Sequence, residues 1–156
     1  MEIRLIGPDD VDLLTRVAPG VFDYDIDPDL TEQFLRDDRH HLVAAIDSGL
    51  VVGFVSGVHY VHPDKPPELW INEVGVAPSH QRRGIGQQML RVIFRAGGDL
   101  GCGEAWVLTS RSNTAAMKLY ASVDGSEDPE DTVMFAFRLP IAESPVARTQ
   151  EEGADE

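Results

Sequence analysis

Between Leu69 and Ala96 the chain changes its hydrophobic period once, across a short loop. Leu69 to Val76 reads as a strand. From Gly84 onward the apolar residues Ile85, Met89, Val92, Ile93 and Ala96 return on one helical face. Only Ala77 to Arg83 separate the two patterns. A strand that hands over so quickly to an amphipathic helix lays that helix against a sheet. The fold class is therefore α/β (or α+β), with helices flanking a central mixed, mostly antiparallel sheet.

The rest of the chain agrees with this layering. Glu2 to Ile6 alternates apolar and polar residues and predicts a strand. Gly7-Pro8-Asp9-Asp10 breaks it and opens a helix through Val11, Leu13, Leu14 and Val17, which Ala18-Pro19-Gly20 ends. Phe22 to Asp29 is irregular and acidic, and Leu30 to Leu35 suits a short helix. His41 to Ile46 and Leu50 to Tyr60 read as a hairpin about Asp47-Ser48-Gly49. Gly97-Gly98 is expected to stop the helix that begins at Gly84. Ala105 to Thr109 reads as a further strand, Asn113 to Ala121 as a helix and Thr132 to Leu139 as a closing strand. This gives one domain over residues 1–139, within the usual size of roughly 100–200 residues. Residues 140–156 are acidic and without periodicity, and are expected to form a mobile tail.

Charge narrows the partners. Asp and Glu number 27 against 13 Lys and Arg, a formal net charge of −14. Nucleic acids and anionic lipid need clustered cations, so neither is expected as a partner. A cationic ligand suits this surface, unless its charge serves solubility alone. Cys102 is the single cysteine, which excludes an internal disulfide. The histidines have no cysteine or carboxylate neighbours at ligand spacing, so no metal is expected. No apolar run reaches the ~20 residues of a membrane span, and the first residues lack the apolar core of a signal peptide. The expected location is the cytoplasm.

The chemistry sits in the loop between strand and helix. The first turn of a helix presents N–H groups without internal acceptors, and its dipole favours anions. In Gln81-Arg82-Arg83-Gly84-Ile85-Gly86 two glycines let a phosphate approach that backbone, and two arginines add charge to an otherwise acidic chain. The loop reads as a pyrophosphate site. It is not a Walker loop, since no Gly-Lys-Ser/Thr follows, and it lacks the third glycine of a dinucleotide fingerprint.

With the preceding strand Asn72-Glu73-Val74-Gly75-Val76-Ala77-Pro78, the pattern Gln-x-x-Gly-x-Gly resembles motif A of the GNAT superfamily of N-acetyltransferases. Ser110-Arg111-Ser112-Asn113-Thr114-Ala115-Ala116-Met117-Lys118-Leu119-Tyr120 resembles its motif B. Pro63 to Trp70 and Glu127 to Phe135 further resemble the aminoglycoside 3-N-acetyltransferase type I branch. The resemblance implies acetyl-CoA as acyl donor. The donor would be held by the backbone of Val74, Gly75 and Val76, by the loop Gln81, Arg82, Arg83, Gly84, Ile85, Gly86 and Gln87, and by Asn113, Ala116 and Tyr120. It also implies Tyr120 as the acid that protonates the leaving thiolate. Glu73 is the candidate base, or else a carboxylate that only attracts a cationic amine. After Tyr120 the chain departs from the family pattern, because Ala121 to Asp128 is acidic and lacks the usual aromatic residue.

Acids cluster at Asp23, Asp25, Asp27 and Asp29, and again at Asp124, Glu127, Asp128, Glu130 and Asp131. Both regions border the acceptor cleft in the resembling family. Asp25, Asp27, Glu73, Glu127 and Asp128 are thus the expected acceptor-binding residues, with two solvated acidic loops as the alternative. The expected activity is acetylation of a polycationic small-molecule amine, an aminoglycoside foremost. A polyamine, an amino acid or a protein N-terminus is the alternative acceptor, and a non-catalytic acyl-CoA-binding module is the alternative to an enzyme. Exposed strands leave a homodimer open.

Overall fold

A computed structural model of the protein describes residues 1–128, 130 and 132–139. Five strands form one sheet in the order β1 (Glu2–Ile6), β2 (His40–Asp47), β3 (Leu50–Tyr60), β4 (Glu68–Val76) and β5 (Glu104–Val107). The first three pairings are antiparallel and the β4–β5 pairing is parallel. The β2–β3 hairpin turns on Ser48 and Gly49, both left-handed at φ 51° and 78°. That turn matches the right-handed twist of the strands it joins. β5 covers β4 only from Glu68 to Ile71. Beyond Ile71, no strand among the described residues lies on the outer edge of β4.

Among the described residues three α-helices accompany the sheet: α1 (Pro28–Arg36), α2 (Ile85–Asp99) and α3 (Thr114–Ala121). α2 lies on one face and buries Ile85, Met89, Leu90 and Ile93 against Val43, Val51 and Val55. Each fully buried side chain of this size contributes about 1.5–3 kcal/mol. α1 packs on the opposite face, with Leu35 buried and Phe34 packed against the core. Asp27 starts α1 by accepting the N–H of Leu30 at 2.9 Å. Among the described residues no helix is long and apolar enough to cross a membrane.

Three expectations from the sequence change. The segment after β1 is a 3-10 helix, Pro8–Thr15. Pro8 contributes no N–H, and the Asp10 N–H donates to Gly7 O at 2.9 Å, the three-residue spacing of that helix. The Asp10 carboxylate holds the turn by accepting from Gly7 N–H and from Arg4 at 2.8 and 3.0 Å. Second, α2 runs through Gly97-Gly98 to Asp99. Gly97 is there for contact: a Cβ would lie 2.9 Å from Leu69 Cδ2. The helix ends where Gly101 turns left-handed, at φ 82°. Third, residues 132–139 form no strand. Alternation marks a segment able to become a strand, but a strand also needs a neighbour's N–H and C=O groups. Here Val133 and Phe137 stand 70% and 82% exposed. The predicted tail, 140–156, lies outside the described residues.

Candidate functional site

The expected donor side of the site is backbone. After β4 a single 3-10 turn, Pro78–His80, leads into a loop whose conformation is unusual for its residues. Arg82 is left-handed at φ 62° and Gly84 at φ 74°. A non-glycine residue in that region costs on the order of 1–2 kcal/mol, so the loop is held at some expense of stability. Gly84 stands at the N-cap of α2, and no side chain caps the helix. The first N–H groups of α2 therefore point out of the helix beside the exposed Arg82 and Arg83, a ready anion site. Gln81 fastens the loop to the strand by donating from Nε2 to the Val76 carbonyl at 3.1 Å. From Asn72 to Val76, β4 is paired with β3 on one side only, which leaves main-chain groups of Val74 and its neighbours at an open edge.

Several motif residues also have structural duties. Gly86 is buried, and a Cβ there would sit 3.2 Å from both methyls of Leu119 on α3. Its bareness serves helix contact, a duty besides the phosphate approach expected of it. Gln87 Nε2 donates to Ser122 Oγ at 2.7 Å and ties the start of α2 to the end of α3. Ile85 is a core residue. Gly75 is demanded by packing: a Cβ would lie 2.3 Å from Val21 O and 2.6 Å from Phe54 Cε1. Asn113 is the N-cap of α3, its Oδ1 accepting from Ala116 N–H at 3.1 Å. The cap engages one lone pair of that oxygen, and the Nδ2 donors are the groups it does not use. Tyr120 lies on α3, half-buried against the core, and burial raises its phenol above the usual range. It keeps its proton at neutral pH, as an acid must.

A cleft of about 590 Å³ lies on the sheet face opposite α2, where the sequence places the expected acceptor residues Asp25, Asp27 and Glu73. Its walls include Phe22, Asp23, Asp25, Phe54, Ser56 and Glu73. Phe22 stacks on Phe54 with centroids 3.8 Å apart. Glu73 faces Ser56 across the β3–β4 ladder. Desolvation in the cleft, and then the charge of Asp23, raise the Glu73 carboxyl above its ordinary value. A carboxylate tuned upward in a cleft is suited to taking a proton from an amine. Asp27 also lines the cleft, but its Oδ1 caps α1. Glu127 and Asp128 fall in the separate segment that follows Ser126. There Asp128 organises its own turn, accepting from Glu130 N–H at 2.9 Å and Thr132 Oγ1 at 3.2 Å.

The sequence reading missed that Asp23 stands beside Glu73 and that Phe22 and Ser56 share the cleft. Phe22 and Asp23 lie in an aperiodic stretch that carries no pattern. Ser56 left a trace, as a buried hydroxyl within the apolar run of β3. No group of three or more potential metal ligands exists among the described residues.

Known proteins resemble this chain in sequence and in fold. The acetyltransferase (GNAT) family profile matches residues 11–125. The aminoglycoside N(6')-acetyltransferase type 1 of Salmonella typhimurium (strain LT2) is 28% identical over 111 residues, 69% of this chain and 76% of that protein. The N-alpha-acetyltransferase RimI of Mycobacterium tuberculosis (strain H37Rv) is 34% identical over 90 residues, 57% of this chain and 54% of that protein. Among solved structures, aminoglycoside N-acetyltransferase AAC(6')-Iy in complex with CoA superposes with TM-score 0.70 at 25% identity, covering 88% of this chain and 95% of that one. An aminoglycoside acetyltransferase from an uncultured soil metagenomic sample shares the fold at TM-score 0.77 and 19% identity, covering 89% and 96%. The aminoglycoside enzymes that state a position among these are of the 6'-type, so the 3-N branch suggested by Pro63 to Trp70 finds no support there. An uncapped helix start below a half-open strand, with a tuned carboxylate in the adjoining cleft and a profile match over most of the folded chain, leads to one assignment: this chain is an N-acetyltransferase of the GNAT family.

Proposed function

We propose that the chain moves an acetyl group from acetyl-CoA to an amine of a polycationic small molecule, an aminoglycoside foremost. The observation that carries the proposal is the cleft in which Glu73 and Asp23 lie together beside the open edge of β4. Acetyl-CoA would supply an activated acetyl thioester. The donor side fits it: uncapped N–H groups of α2 and the exposed Arg82 and Arg83 suit a diphosphate, and the free edge of β4 suits an amide-bearing arm.

In this reading Glu73 takes the proton from the acceptor's ammonium group, directly or through water, and so frees the nitrogen lone pair to form the new N–C bond. Tyr120 gives its phenolic proton to the departing sulfur as the C–S bond breaks, and the second proton, which the nitrogen sheds on becoming an amide, restores the phenol. Asp23 and Asp25 hold the other ammonium groups of a polycation. The 3-amino position follows from the resemblance of the segments around Trp70 and Phe135, and the 6'-amino position from the relatives. A protein N-terminus is the second reading, favoured by the likeness to an N-alpha-acetyltransferase.

Thiol release from acetyl-CoA decides among these. The acceptor panel would hold aminoglycosides with a 6'-amine, aminoglycosides with a 6'-hydroxyl in its place, a polyamine, and a peptide with a free N-terminus. Turnover of the 6'-hydroxyl compounds would favour the 3-N position, and turnover of the 6'-amines alone the 6' position. Release with the peptide and with no aminoglycoside would remove the aminoglycoside reading.

A further inference from the structure

The chain contains two tryptophans, and the fold stacks them on each other. Trp70 on β4 is directly opposite Trp106 on β5, with ring centroids 5.1 Å apart and planes 7° from parallel. Trp106 is held in place from behind. Its Nε1 donates to Tyr60 Oη at 2.9 Å, and Tyr60 Oη donates to Glu68 Oε2 at 2.8 Å. Lys65 pairs with the other oxygen of Glu68. Trp70 lies on this fixed ring and stays 38% exposed.

A strand irregularity relates this platform to the cleft. Trp70 pairs with Val58, and Glu73 pairs with Ser56. Val58 and Ser56 are two apart on β3, so their side chains share a face, and so do those of their partners. Residues 70 and 73 are three apart and would normally point to opposite faces. The register shift between Ser56 and Gly57 makes Asn72 the extra residue and turns Glu73 to the side of Trp70. The two positions then stand about 7 Å apart along the sheet, the spacing of their partners Val58 and Ser56 at ~3.3 Å per residue. A ring lying flat on Trp70 covers that indole and leaves Glu73 to a neighbouring ring, so an acceptor of two or more linked rings suits both positions.

We propose that Trp70, backed by Trp106, is a second acceptor subsite, on which a distal amino-sugar ring of a multi-ring acceptor stacks while its reacting amine lies at Glu73. The chemistry matches on both counts. An indole face covers the apolar C–H face of a sugar ring, and its quadrupole attracts the ring's ammonium substituents. The proposal rests on the reading of the chain as an acetyltransferase for polycationic amines, and it adds a determinant of which polyamines are preferred.

Because both tryptophans are in the pair, the emission of the whole chain reports on this place alone. A multi-ring aminoglycoside titrated into the protein without acetyl-CoA should change that emission saturably. A single-ring diamine should leave it unchanged. In thiol-release assays Trp70→Ala should raise KM for the multi-ring acceptor about tenfold, with kcat and the KM of the single-ring amine held within about twofold. Trp70→Phe should restore most of the loss. An emission that ignores the multi-ring compound, or a Trp70→Ala effect equal for both acceptors, overturns the proposal. If the wild type acetylates no aminoglycoside, the proposed function has failed instead, and the emission titration still decides whether the platform binds amino sugars.

Discussion

On the β4 edge and the loop after it the candidate site is made of main chain. In the cleft under Phe22 and Phe54 it is made of side chains. The proposed donor side would work through uncapped N–H groups at the start of α2, a left-handed Arg82 and Gly84, and a strand edge left open by the described residues. The proposed acceptor side would work through the carboxylates of Glu73, Asp23 and Asp25 and a Phe22–Phe54 stack. A main-chain site needs particular residues at fixed spacing, because only certain residues allow that backbone. A side-chain site can draw its groups from distant segments. The first kind therefore leaves a motif, and the second leaves only a composition. Variants on the two sides should accordingly separate in their kinetics.

The largest expected effect falls on Glu73. Glu73→Gln should lower kcat with the acceptor by about 10²–10⁴, the range for loss of a general base, and leave the calorimetric affinity for acetyl-CoA unchanged. Because the folded carboxyl titrates above the usual glutamate value, the wild-type rate should fall as pH drops through that raised value. Stability carries the opposite sign. A carboxyl with a raised folded pKa favours the folded state when protonated, and that contribution is lost as pH rises. Glu73→Gln should therefore raise the thermal midpoint at neutral pH while it removes activity. A lowered midpoint, or weaker acetyl-CoA binding, would show that Glu73 serves both sides.

Gly75 sits where the two sides meet. In Gly75→Ala the new methyl has no room between Val21 O and Phe54. The expected loss is about 1–3 kcal/mol of stability, read from denaturant midpoints, since overpacking displaces its neighbours. Both KM values should rise together in this variant, unlike any other change discussed. An unchanged midpoint would mean that the Phe22–Phe54 stack yields easily. Gly84→Ala is purely a donor-side change. A left-handed alanine costs on the order of 1–2 kcal/mol, so the affinity for acetyl-CoA should fall about tenfold with the acceptor KM unchanged. Calorimetry with acetyl-CoA checks it.

How far each region could be read from the sequence follows the same division. β2, β3 and β4 came within a residue or so of their observed ends because their apolar runs are long and bounded by turns. The loop from Gln81 to Gly86 was legible as a tight turn into a helix because its glycines are local. The separate uses of its two glycines were not: Gly84 is set by its own φ, but Gly86 by Leu119, far along the chain. Gly97 misled for a similar reason, since a tertiary contact with Leu69 overrode its usual role as a helix stop. Thr132 to Leu139 shows the reverse error, a local alternation of residues that forms no strand. Asp23 was visible only as one acid among several. Its placement beside Glu73 depends on how the stretch from Val21 to Asp27 folds over β3 and β4, and no periodicity records that.

Asp23 accordingly gives the smallest effect and the sharpest test of the acceptor side. Its charge is the second cause of the raised Glu73 carboxyl, after desolvation. Asp23→Asn removes the repulsion and leaves the burial, so the Glu73 carboxyl should move down while staying above the ordinary value. The acid limb of the pH–rate profile should shift to lower pH without changing shape. The acceptor KM should rise by only a few-fold, about the effect of one partly screened charge, and the rise should shrink as salt is added. Acetyl-CoA affinity should not respond, because the donor side is built from groups that Asp23 does not touch. An unmoved acid limb together with a raised KM would leave Asp23 as a cation contact only, and would assign the tuning of Glu73 to desolvation alone.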